Sequence, residues 1–195
     1  MRITGGSYRS RSLRAPRGDR TRPTSDRVRE ALFGILSSRR DLGGTRVLDL
    51  YAGTGALAFE ALSRGATSAV LVESNKVAVD VILANAGSLG VRAEIAVLAL
   101  PVEKCVARVM AGGAPFDLVF ADPPYDRVAG GEVARSLGAL ALAGAFATSA
   151  AIVLEHATHD DAPAIPELTL VETRRYGDTS LSFYAFAGEA PPGAG

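Results

Sequence analysis

An α/β fold, a mostly parallel sheet covered by helices, is predicted by three observations. Strand-like and helix-like patterns alternate from residue 46 to residue 155, the strand-like runs are short and mostly apolar, and a glycine-rich turn joins the first of them to a helix. At 195 residues and 48% hydrophobic content, the chain is long enough for one domain with a substantial core.

Residues 1–23 carry Gly5, Gly6, Pro16, Gly18 and Pro23, which suits short extended pieces and turns and predicts a separate N-terminal arm. A first helix is expected from Thr24 or Ser25, whose hydroxyl can cap it, with Val28, Leu32, Ile35 and Leu36 as its apolar stripe. Strands follow at 46–51, 69–73, 94–98, 116–121 and 151–155, separated by helices at 56–64, 76–89, 102–110 and 132–142. Segments 168–176 and 180–186 flank a turn at Gly177-Asp178 and read as a hairpin added to the sheet edge. The main domain thus runs from 24 to 187, and 188–195 reads as a disordered tail. The uncharged stretch 137–154 approaches membrane-spanning length, but it is alanine-rich and broken by Gly138, Gly144, Thr148 and Ser149. It is expected to be the end of a helix, a loop and a buried strand.

The formal charge of zero hides an asymmetry. Residues 1–30 hold nine arginines against Asp19, Asp26 and Glu30, a balance of +6 that leaves −6 on the remainder. A basic arm on an acidic body suggests a polyanion met at one edge, with Arg9, Arg11, Arg14, Arg22 and Arg27 as candidate contacts. The plainer alternative is a solvated tail. A single cysteine, Cys105, and an N-terminus without an apolar leader point to a reducing cytoplasm.

Asp49-Leu50-Tyr51-Ala52-Gly53-Thr54-Gly55 lies where the first strand turns into its helix, the place where open α/β sheets bind ligands. Gly53, Gly55 and Ala58 also satisfy a dinucleotide fingerprint, and Glu73 follows Gly53 as a ribose-binding acid would, so a nicotinamide enzyme is a real alternative. Asp49 discriminates. Facing a pyrophosphate at about 4 Å it would cost about 1 kcal/mol per charge pair in water and about 4 at an effective dielectric of about 20. The same carboxylate attracts the ammonium and sulfonium of S-adenosylmethionine. Glu73 would then accept from the ribose hydroxyls, with Tyr51, Ala52, Thr54, Ser74 and Ala99 lining the rest of the cofactor site.

Asp122-Pro123-Pro124-Tyr125 directly follows the fourth strand. An exocyclic amine on a base is a poor nucleophile because its lone pair is delocalised, and acceptors on both hydrogens are needed to free it. The Asp122 carboxylate and the Pro123 carbonyl are candidate acceptors, with the carboxylate also stabilising charge that develops on nitrogen. The prolines restrict the turn, and Tyr125 offers a face on which a flipped base could stack for about 1 to 3 kcal/mol. A tight proline turn with a surface tyrosine is the alternative.

The tetrapeptide resembles the (N/D)-P-P-(Y/F) signature of amino-group methyltransferases. Taken with Arg2 to Gly6, Arg22 to Phe33, Asp49 to Gly55, Glu60 to Gly65 and Tyr176 to Thr179, the chain up to about residue 187 resembles the RsmD family of 16S ribosomal RNA guanine-N2 methyltransferases. That resemblance implies a Rossmann-like class I fold with a seven-stranded, mostly parallel sheet ending in an antiparallel hairpin. It also implies S-adenosylmethionine as cofactor, and guanine 966 of 16S rRNA, in the small ribosomal subunit or its assembly precursor, as target. Two departures stand out. Leu98-Ala99-Leu100 replaces a polar residue that many relatives use for the adenine amine, leaving the Ala99 backbone and apolar packing. Asp122 replaces the asparagine common in the wider signature; the resemblance implies an aspartate within this family, which supports guanine over adenine. A DNA or protein amino-group methyltransferase and a silent RNA-binding protein of the same fold remain alternatives.

No role is assigned to His156 or His159, and with Cys105 they form no metal-ligand spacing. Arg174 and Arg175 could touch RNA or simply guard a sheet edge. The expectation is a monomer without metal or membrane segment.

Overall fold

The structure, a computed structural model, describes residues 1–15 and 26–186, and at Tyr125 the main chain only. Arg22, the expected helix cap at Thr24 or Ser25 and the tail 188–195 lie outside the described residues. Helix α1 (Asp26–Arg39) leads into strand β1 (Arg46–Leu50), helix α2 (Ala56–Ser63), strand β2 (Ser68–Val72), helix α3 (Lys76–Leu89) and strand β3 (Ile95–Leu98). Then come a 3-10 turn (Val102–Lys104), helix α4 (Val106–Ala111), strand β4 (Phe116–Ala121), helices α5 (Tyr125–Ala129) and α6 (Glu132–Leu142), and strands β5 (Phe146–Ala157), β6 (Leu168–Tyr176) and β7 (Thr179–Phe186).

One seven-stranded sheet has the order β3-β2-β1-β4-β5-β7-β6. The first five strands are parallel, and β7 pairs antiparallel with both β5 and β6. Strand order reverses between β1 and β4, so the turns leaving these two strands flank the crevice where such sheets bind ligands. Alternate residues of the buried strands feed two cores. Val47, Leu71, Phe120 and Val153 pack with α1, α2 and α3, whereas Leu48, Val70, Val119 and Ile152 pack with α6 and the Val102–Val109 region.

The uncharged stretch 137–154 divides into the end of α6, a turn and β5, as expected. Strand β5 starts at Phe146, earlier than the sequence predicts. Its pairing with β4 jumps from Phe116↔Phe146 to Leu118↔Ala151, and a bulge of that kind erases the apolar alternation that would reveal a strand. The helix expected at 102–110 is split, because the Cys105 N–H closes a tight turn onto the Val102 carbonyl before α4 begins. Helix α5, five residues long, is too short to show periodicity and was not anticipated.

The N-terminal segment is docked on the domain. Arg2 and Ser12 form an antiparallel bridge, and Ile3 and Leu13 are buried in the core beside α1 and α2. Thr4 donates to Glu60 through both N–H (2.8 Å) and hydroxyl (2.7 Å), while Ser7 N–H reaches the Ser63 carbonyl at 2.7 Å. At Gly6, with φ +76°, an added Cβ would lie 1.8 Å from the Ser63 carbonyl oxygen, so only glycine permits this approach. Arg29 is fully buried: its Nε lies 3.3 Å from Glu60 and its guanidinium also reaches Asp26 and the Arg2 carbonyl.

Candidate active site

The turn after β1 is built for close approach to a ligand. Tyr51, Gly53 and Gly55 all have positive φ, at 59°, 55° and 77°. At Gly55 a Cβ would collide with the Phe59 ring at 2.6 Å, so packing as well as backbone angle requires glycine. Three side chains hold the turn from outside. Glu73 accepts from Gly53 N–H at 2.8 Å and from Asn75 N–H at 2.7 Å. Asp49 accepts from Ala58 N–H at 3.1 Å in the first turn of α2. Asn85 of α3 donates to the Thr54 carbonyl at 3.1 Å. Asn75 in turn caps α3 through Val77 N–H at 2.8 Å.

Sheet register explains the electrostatics. Asp49 pairs with Leu71 on one side and Phe120 on the other, so Glu73 and Asp122 each lie two residues further along neighbouring strands and project to the same face. Asp49 is therefore recessed below two other acids. Sequence placed it at the strand tip facing the ligand, but it precedes the last residue of β1 and is 1% exposed. Burial holds its carboxyl well above the ordinary range, and the charges of Asp122 and Glu73 add to the effect, against the opposing Ala58 hydrogen bond. Its influence on a ligand acts through a low-dielectric wall.

Asp122 stands beside this turn, its N–H 3.4 Å from the Leu50 carbonyl. Pro123 is buried, and Pro124 precedes α5 with its carbonyl engaged by Arg127 N–H at 3.0 Å. Tyr125 is the first residue of α5. Arg127 ties this short helix to its surroundings through Glu103 and through Glu132 at 3.2 Å. The Tyr51 hydroxyl is buried without a hydrogen-bond partner among the described residues. Burial, then the charge of Glu103, pushes its pKa up to about 12. Ser74 and Ala99 are exposed at the carboxyl ends of β2 and β3, where Glu73 N–H donates to the Leu98 carbonyl at 3.1 Å.

Arg9, Arg11, Arg14 and Arg27 are exposed, and the Arg11 guanidinium reaches the Ser88 carbonyl at the end of α3. Sequence reasoning missed three features here. Asn85 gave a faint signal, since a buried asparagine inside a helix needs partners from elsewhere. Glu155 is buried in β5, and the pairing Ala121↔Leu154 places it abreast of Asp122. The Arg127 pairs left no sequence signal, because one joins residues 24 apart and the other bridges two helices whose boundary the sequence did not reveal. Among the described residues, no cluster of His, Cys, Asp and Glu could hold a metal, and no helix is long and apolar enough to cross a membrane.

A family model described as conserved hypothetical protein 95 matches residues 1–185. The chain belongs to this family, the RsmD family. Among its relatives, the Escherichia coli K12 protein named ribosomal RNA small subunit methyltransferase D is 33% identical over 166 residues, 85% of this chain and 79% of that one. Bacillus subtilis YlbH is 30% identical over 189 residues, 96% of this chain and all of the other. The solved structure of Escherichia coli YhhF superposes with a TM-score of 0.81 at 29% identity, covering 97% of this chain and 99% of that one. The fold is that of class I S-adenosylmethionine-dependent methyltransferases. Every candidate site residue named above falls inside the span matched by the RsmD family model.

Proposed function

We propose that this chain methylates the exocyclic N2 amine of a guanine in small-subunit ribosomal RNA, using S-adenosylmethionine. The observation that carries the reading is the meeting of two turns at the strand-order reversal: the glycine turn after β1, backed by Asp49 and Glu73, and the Asp122-Pro123-Pro124 turn after β4, joined through Asp122 N–H and the Leu50 carbonyl.

The residues fit the cofactor. A buried carboxyl with two more acids above it is a poor neighbour for a pyrophosphate and a good one for positive charge, which disfavours the nicotinamide alternative. Tyr51, Ala52, Gly53, Thr54 and Gly55 would hold the amino-acid end, Glu73 and Ser74 the ribose, and Ala99 the adenine edge. When bound, S-adenosylmethionine supplies a methyl group made electrophilic by its sulfonium.

The chain's own residues do the rest. Asp122 and the Pro123 carbonyl each accept one hydrogen of the guanine amine, which turns the lone pair out of conjugation. The Asp122 carboxylate then offsets the positive charge developing on nitrogen. Tyr125 is assigned the stacking face by its residue type and its place at the head of α5. Arg9, Arg11, Arg14 and Arg27, joined by Arg22 outside the described residues, contact phosphates. The relatives' small-subunit names support small-subunit ribosomal RNA as the substrate; within that reading the proposed target is guanine 966 of 16S rRNA, acted on by a cytoplasmic monomer.

The test offers labelled cofactor to naked 16S rRNA and to small subunits lacking the modification, followed by nucleoside mass spectrometry. N2-methylguanosine is expected. A methylated adenine, a methylated protein or no transfer to either substrate would overturn the proposal.

A further inference from the structure

We propose that Asn85 is a positioning residue that couples the two halves of the site, so that RNA on the N-terminal segment and cofactor on the β1 turn favour each other's binding. This rests on the functional reading above. Asn85 is 1% exposed in the middle of α3, and its amide bonds go to main-chain atoms outside that helix. Its Oδ1 accepts from Arg14 N–H at 2.8 Å, and its Nδ2 donates to the Arg14 carbonyl at 3.2 Å and to the Thr54 carbonyl at 3.1 Å.

The paired contacts to Arg14 grip its backbone as a neighbouring strand would, whatever the side chain does, and leave the guanidinium exposed. The contact to Thr54 sits inside the turn assigned to the cofactor. One amide therefore fixes a candidate phosphate contact and a candidate cofactor contact together. Asparagine is a weak helix former, so nothing in α3 itself calls for it at this position. A second tether runs beside it, from the Thr54 hydroxyl to the Met1 sulfur at 3.5 Å.

The physical consequence is shared ordering. A ligand that immobilises Thr54 through the turn also immobilises Asn85 and hence Arg14, so a second ligand meets a segment already ordered. Linkage makes the effect reciprocal: the factor by which RNA tightens cofactor binding equals the factor by which cofactor tightens RNA binding.

The experiment titrates S-adenosylhomocysteine, which cannot react, into the full chain with and without saturating 16S rRNA transcript. In the wild type, RNA is expected to tighten binding by about fivefold or more, and S-adenosylhomocysteine to tighten RNA binding equally. Asn85→Asp keeps the acceptor for Arg14 N–H but loses both donated bonds, and Asn85→Ala loses all three; in each the factor should fall towards one. A purely structural role would lower stability or both affinities without changing that ratio. If Asn85→Ala does not fold, Asn85→Asp and the wild-type ratio decide. A wild-type factor of one, or a factor preserved in a folded variant, overturns the coupling alone. Where the transcript does not bind, small subunits lacking the modification take its place in the same titration; failure of the wild type to bind either RNA substrate, or to bind S-adenosylhomocysteine, overturns the functional reading beneath it.

Discussion

Replacing Asp49 with asparagine separates what this carboxyl does for the fold from what it does for the cofactor. The substitution is isosteric and keeps an acceptor for Ala58 N–H, so the start of α2 should survive. Two residues along the strand and one strand across put Asp49 about 8 Å from each of Glu73 and Asp122. At an effective dielectric of about 20, each pair of charges repels by about 2 kcal/mol at that distance, and by less where Glu73 and Asp122 meet solvent.

The sign of the pH dependence follows. The Asp49 pKa is raised in the folded protein, so between its ordinary value and the folded value the native state binds more protons than the unfolded state. Stability from this group is thus lost as pH rises through that interval, and above it the full penalty of a buried charge remains. Asp49→Asn should be more stable than wild type, by a margin that grows with pH until the folded pKa is passed and is constant above it, in a pH series of urea denaturation. The cofactor should respond oppositely. Where Asp49 is ionised, losing its attraction to the cofactor's cations weakens S-adenosylmethionine binding by calorimetry, the more so as pH rises. A variant that is no more stable at the upper end, or that binds the cofactor as tightly as wild type, would refute the argument.

Asp122→Ala should abolish methyl transfer while leaving S-adenosylhomocysteine affinity within a few-fold, because its assigned partner is the base; single-turnover assay and calorimetry check the two parts. Neutralising Arg9, Arg11 and Arg14 together should weaken RNA binding and flatten its salt dependence by about 0.7 to 0.9 in log–log slope per lost phosphate contact, measured by filter binding across a salt series. Glu60→Ala strips the fully buried Arg29 of a partner and should cost about 3 to 5 kcal/mol in urea denaturation; Glu60→Gln should lose less, and equal losses would deny the charge a role. His156 is buried between Ser182 Oγ at 2.8 Å and the Ala157 carbonyl, and burial lowers its pKa, so stability should fall as pH drops below the ordinary histidine range. His156→Gln should flatten that fall in a pH series of urea melts.

The parallel strands and the two turns of the candidate site were legible in the sequence because each is local. Val-Leu-Asp-Leu is apolar but for Asp49 along a buried strand, and the glycines and prolines mark their own turns. What sequence left out is what depends on register. Only pairing of β1 with β2 and β4 shows that Asp49 sits a layer below Glu73 and Asp122, and only the β4–β5 register brings Glu155 level with Asp122. The partners of Asn85 were out of reach for a related reason: Arg14 and Thr54 are 71 and 31 residues away, and a helix pattern reports only which face is buried.

Charge counting shows the same limit from another side. The nine arginines in residues 1–30 suggest a basic arm, yet Arg29 is turned wholly inward to Glu60 and contributes nothing to an external grip. Glu60 also holds Thr4 and Arg64, so a single buried acid converts a stretch that would otherwise be mutually repelling into a platform on α2. Arg9, Arg11, Arg14 and Arg27 then stay exposed from fixed positions. Phosphate contact from a docked segment forfeits less conformational entropy than contact from a free tail, since the backbone is ordered before RNA arrives. On that argument Glu60→Gln, in a preparation still folded, should weaken RNA binding through the segment's disorder while leaving the salt slope close to wild type, because the number of phosphates neutralised has not changed.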